Sequence, residues 1–133
     1  MIQYWQSSWI TYKSDGRPPV KIEKLTILWT TENEETALNM LLMYALKSNL
    51  NKWWKECNVI TWGPSNKLVC SSLEVQLMIR QIQEAGVKFY ACKRCAESYG
   101  LVEKLESLGI EVKLMGEPLT GYLQDSGYRV ISI

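Results

Sequence analysis

Cys92-Lys93-Arg94-Cys95 sets two thiols three residues apart, between a β-favouring stretch and a helix-favouring one. Residues 87–91 (Val, Lys, Phe, Tyr, Ala) predict a strand, and residues 96–108 predict a helix that stops at Gly109. Cys92 is thereby expected at the strand's end, near a helix N-terminus. Unpaired backbone N–H groups there favour an ionised thiol, and Lys93 and Arg94 add to the positive field. A sulfur so placed can act as a nucleophile, bind a metal or exchange with a second thiol.

The rest of the composition narrows those choices. The chain has no histidine, which removes Cys–His and Ser–His pairs and every His-containing metal site. A cysteine-only zinc site would need Cys57 and Cys70, which lie thirteen residues apart at a strand start and before a helix, so no metal is expected. A thioredoxin-type fold would place the pair after its first strand, whereas two β–α units precede it here. Dithiol exchange without that fold stays open, as does inert burial, the common fate of free cysteine. Cys57 and Cys70 read as structural.

Other motifs are weaker. Gly63-Pro64-Ser65-Asn66-Lys67 lacks the Gly-Lys-Ser/Thr ending of a phosphate loop, and no Gly-x-Gly-x-x-Gly occurs, so nucleotide hydrolysis is not supported. Trp29 and Trp62 read as core, and Trp53-Trp54 as an anchor after the first helix. Glu32 and Glu117 could move protons but are expected to be solvated.

Fifteen basic and fourteen acidic residues give a net charge of +1 with no long block of either sign, so no nucleic-acid partner is expected. The first ten residues lack a basic start and a continuous apolar run. No later segment approaches the ~18 apolar residues of a membrane span, so a cytoplasmic protein with free thiols is expected.

The elements that must position the thiols follow from periodicity. Residues 24–30 form a nearly continuous apolar run, the mark of a strand buried on both faces in a parallel sheet. Further strands are predicted at 58–62, 87–91, 110–114 and 128–133. Thr31 with Glu34 makes a capping box for a helix to about residue 48, Ser71 with Glu74 one for residues 72–85, and Pro118 suits the start of a brief fourth helix. The first helix has only Asn39 as a polar residue between 38 and 46, which suggests contact with a second subunit or burial under the N-terminal arm. Five strands alternating with four helices predict a three-layer α/β/α domain over residues 24–133 on a five-stranded parallel sheet, flavodoxin-like in appearance. Residues 1–23, with Tyr4, Trp5, Trp9 and Tyr12, are expected to form a docking arm. In such sheets ligands sit beyond the C-terminal strand ends. Thr30, Thr31, Gly63, Pro64, Ser65, Cys92, Met115, Gly116 and Glu117 fall there, and Lys93 and Arg94 adjoin them.

With residues 60–65 (Ile, Thr, Trp, Gly, Pro, Ser), 85–96 around the Cys-x-x-Cys, and 115–120 (Met, Gly, Glu, Pro, Leu, Thr), the chain resembles the DsrE/DsrF-like family from about residue 25 to 133. The resemblance implies an α/β/α domain that assembles as dimers, trimers or hexamers, the fold of YchN-like proteins. It also implies a sulfur-relay role, in which a cysteine after this strand takes sulfur from a donor protein as a persulfide and hands it to an acceptor. Cys92 matches that cysteine. Cys95 lies outside the wider family's pattern, and a resolving role for it rests on spacing alone. The expected function is a sulfur carrier or sulfurtransferase-like protein that uses Cys92 and Cys95 and no organic cofactor. The alternatives are a non-catalytic oligomeric module binding a small ligand, with structural cysteines, and a Cys-x-x-Cys redox switch.

Overall fold

The computed structural model describes Ser14 and residues 22–133. Five parallel strands, β1 (Lys24–Trp29), β2 (Glu56–Thr61), β3 (Lys88–Cys92), β4 (Glu111–Lys113) and β5 (Tyr128–Ser132), form one sheet in the order β4-β3-β2-β1-β5. Helix α1 (Glu34–Thr36) continues through a π-helical stretch, Ala37–Leu42, into α2 (Met43–Leu50). Then come α3 (Ser65–Ser71), α4 (Leu73–Glu84), α5 (Lys93–Tyr99), α6 (Val102–Ser107) and α7 (Gly116–Gln124). The first three crossovers step outward from β1 to β4 in one direction, and the last returns the other way to β5. Because parallel crossovers are right-handed, that reversal puts α7 on the opposite face from the other helices. The three-layer α/β/α architecture expected from the alternation is what forms.

One sheet face carries the main core. Leu25, Ile27 and Trp29 of β1, Val59 of β2, and Phe89 and Ala91 of β3 alternate toward Leu41, Leu42, Val75, Ile79, Ile82 and Leu105 of the helices. Alternation of period two along each strand delivers these residues to a single face. The long helical run 34–50 is not buried all round. Met40, Met43 and Tyr44 on it, with Leu73 and Leu77 on α4, are exposed.

Several boundaries differ from the sequence reading. The first helix is capped by Asn33, whose side chain accepts from Thr36 N at 2.8 Å, while Thr31 Oγ1 accepts from Asn33 N one step earlier. Ser72 rather than Ser71 caps α4, accepting from Val75 N at 3.1 Å. Residues 65–71, read as loop and approach to a helix, form α3, which therefore contains Cys70. The helix expected over 96–108 starts at Lys93 and is cut in two by Gly100, whose φ of 70° suits glycine and ends α5. Gly116 and Glu117 open α7 instead of forming a loop, and Pro118 is its third residue. The arm expected over residues 1–23 lies almost wholly outside the described residues, with Tyr4, Trp5, Trp9 and Tyr12.

Candidate functional site

Cys92 ends β3 and is the N-cap residue of α5. Its extended backbone (φ −65°, ψ 118°) turns the chain from sheet into helix, but its side chain accepts no capping hydrogen bond. The sequence reading looked to a helix N-terminus to stabilise this sulfur. The helix that forms has seven residues, and the backbone donor aimed at sulfur comes from elsewhere. Gly63 N–H donates to Cys95 Sγ at 3.2 Å.

Gly63 stands at φ 67°, a conformation that favours glycine, and a Cβ there would meet nothing within 4 Å. The glycine is therefore required by backbone shape rather than by space. The turn that carries it is tied to the sheet. Trp62 N–H donates to Trp29 O at 2.9 Å, and Ser65 Oγ lies 2.6 Å from Trp29 O. Asn66 Nδ2 donates to Gly63 O at 3.0 Å, and Asn66 Oδ1 accepts from Thr61 Oγ1 at 2.7 Å.

Both thiols are free, and their burial differs. Cys92 is 5% exposed, whereas Cys95 is half-buried. Burial pushes the Cys95 thiol up. The Gly63 N–H pulls it back, and Cys92, within hydrogen-bonding reach, pushes it up further by contact and by charge. A charge on the neighbouring sulfur therefore opposes ionisation of Cys95.

The other expected residues divide. Ser65 is fully buried and bonded to backbone, so it shapes the turn and offers nothing to a ligand. Pro64, Lys93 and Arg94 are exposed at the rim. Thr30 and Thr31 both donate their backbone N–H to Ile133 O, at 2.7 and 3.1 Å, and Thr30 Oγ1 lies 3.2 Å from the same oxygen. Those donors are used internally. Met115 is buried, while Gly116 and Glu117 are exposed at the start of α7. Lys67 reaches Glu32 at 3.8 Å and lies 5.1 Å over the Tyr99 ring, a basic group on the rim that spacing did not single out. Asn66 and Thr61 were also missed. The available signal was an asparagine and a threonine flanking Gly63 within an apolar segment, and such residues readily bond to nearby backbone.

The opposite end of the sheet holds a cavity of about 650 Å3, lined by Asn49, Lys52, Trp54, Cys57, Asn58 and Tyr90 among others. No group of three or more metal-ligating side chains occurs among the described residues, and no helix among them is long and apolar enough to cross a membrane.

Comparison with known proteins agrees with this architecture. A conserved protein of unknown function from Bacteroides thetaiotaomicron is 47% identical, with a TM-score of 0.80 over 84% of this chain and 95% of that one. The ychN protein from E. coli (13% identity, TM-score 0.64, 84% of this chain and 100% of that one) is similar in fold. So is a protein of unknown function from Methanobacterium thermoautotrophicum (18% identity, TM-score 0.64, 84% and 99%). At those identities the last two show the fold alone. No curated protein matches the chain. The sequence profile of the DsrE/DsrF-like family matches residues 24–133, beginning at the first residue of β1 and running through β5, and the chain belongs to that family.

Proposed function

We propose that the protein is a sulfur carrier of the sulfur-relay type, in which Cys92 holds sulfane sulfur as a persulfide and Cys95 resolves it. The observation that carries the reading is a free thiol pair at the C-terminal strand ends with a backbone N–H 3.2 Å from one sulfur. Family membership supports the relay role.

In uptake, the Cys92 thiolate attacks the outer sulfur of a donor persulfide. A Cys92 S–S bond forms, the donor's S–S bond breaks, and the donor leaves as a thiol carrying the proton that Cys92 gave up. Delivery is the same exchange with an acceptor thiol. In resolution, Cys95 attacks the inner sulfur of the Cys92 persulfide, a Cys92–Cys95 disulfide forms, hydrogen sulfide leaves, and an external dithiol restores the pair. Burial favours the protonated form of Cys95, so resolution is slow near neutral pH and the persulfide lasts long enough to be handed on. Because Cys92 is 5% exposed, small persulfides label it faster than bulky thiol reagents.

The test is incubation with inorganic polysulfide followed by intact and peptide mass measurement. We expect one added sulfur on the Cys92 peptide, and its absence refutes the carrier. The contact between Cys92 and Cys95 also favours a second reading, a reversible dithiol switch. That reading predicts loss of two hydrogens under mild oxidants with no sulfur adduct. The exposed apolar set of Met40, Met43, Tyr44, Leu73 and Leu77 supports self-association into a homo-oligomer.

A further inference from the structure

The peptide group that meets Cys95 lies between two peptide groups that are each held by a side chain. Ser65 Oγ gives its one hydrogen to Trp29 O at 2.6 Å, which anchors it to β1 and leaves it an acceptor toward the turn. The same hydroxyl accepts from Trp62 N at 3.1 Å. On the far side Asn66 holds Gly63 O, and Asn66 is itself held by Thr61. Ser65 and Asn66 are each 0% exposed. Every polar atom of the two side chains is spent on this turn or on the strands beneath it.

We propose that Ser65 and Asn66 are positioning residues, which hold the Gly63 N–H on Cys95 Sγ and so stabilise negative charge on the resolving sulfur. This rests on the carrier reading for its consequence, since charge on Cys95 governs how fast a persulfide on Cys92 is resolved. The clamp does not rest on it. A fixed donor works on sulfur because it need not reorganise when the charge appears. A mobile turn would leave the half-buried thiolate with one donor fewer.

The experiment uses a Cys92→Ser background, so that Cys95 reports without its neighbour, and follows alkylation of Cys95 by iodoacetamide across pH. Adding Ser65→Ala or Asn66→Ala is expected to move the profile to higher pH and slow the reaction at neutral pH by about three- to ten-fold, the loss of one neutral hydrogen bond. A purely structural role would lower the melting temperature and leave the profile in place, which overturns the proposal. Should either variant fail to fold, Gly63→Ala in the same background serves instead. It strains the turn without opening a core hole and must shift the profile in the same direction. An unmoved profile there also overturns the clamp. The chain with Cys92 intact, treated with polysulfide, separates the two claims. A shifted profile with no sulfur on Cys92 upholds the clamp and removes the carrier, and sulfur uptake with an unmoved profile does the reverse.

Discussion

Cys57 and Cys92 are almost equally buried, at 4% and 5% exposure, yet they lie at opposite ends of the sheet in opposite circumstances. Cys57 sits in β2 within the main hydrophobic core, where burial pushes its thiol up and a contact with Asn49 pulls it back. Cys92 closes β3 and faces a second sulfur that receives a backbone N–H. Burial does not separate the two. A partner sulfur and an aimed donor do. The roomy cavity of about 650 Å3 lies at the Cys57 end, away from the paired thiols.

The comparison breaks most directly at uptake. Cys92→Ser is expected to abolish the sulfur adduct altogether, and Cys57→Ser to leave it intact. Mass measurement after polysulfide treatment decides this, and equal loss in both variants would erase the distinction.

A smaller change concerns persistence. The Cys95 thiol is raised, so it is protonated near neutral pH and ionises as pH increases. Below the pH at which Cys95 is half-ionised, each unit of rise should therefore shorten the wild-type persulfide's lifetime by up to about tenfold. Cys95→Ser should flatten the dependence and lengthen the lifetime, as followed by timed acid quenching and mass analysis.

Stability sharpens the contrast further. Cys57→Ser replaces a thiol in the core with a more polar hydroxyl, whose desolvation the Asn49 contact only partly offsets, and should cost about 1–3 kcal/mol in urea denaturation. Cys95→Ser at its half-buried rim position should cost less than about 1 kcal/mol. The smallest effect belongs to the exposed helical face. Met40→Lys with Leu77→Lys should change monomer stability by no more than about 0.5 kcal/mol while lowering the mass seen by light scattering.

β1, β2 and β3 were legible because buried parallel strands are written as short apolar runs, while β4 and β5, at the sheet edges, are largely exposed and still fall within a few residues of the predicted stretches. The Cys92–Cys95 pair was legible from spacing alone. Strand order was not, since alternation fixes parallel pairing and crossover hand but not which strand lies outermost. Helix α3 was hidden behind Gly63-Pro64-Ser65, three residues that all signal a turn, although Ser65 already begins its seven residues. The role of Ser65 was out of reach for a different reason. Its shortest hydrogen bond runs to Trp29, thirty-six residues earlier in the chain, and no local pattern encodes such a partner.

The carbonyl of Ile133 is sewn between Thr30 and Thr31, and its N–H donates to Leu28 O at 2.9 Å. Anything fused after Ile133 must leave from the same end of the sheet as the thiols, with β1 and β2 between. A polyhistidine tail there would bring imidazoles, and whatever nickel they carry from purification, to the end of the sheet that holds the thiols, in a polypeptide that has no imidazole of its own. Thiol assays on this protein are best run after cutting away any such tail.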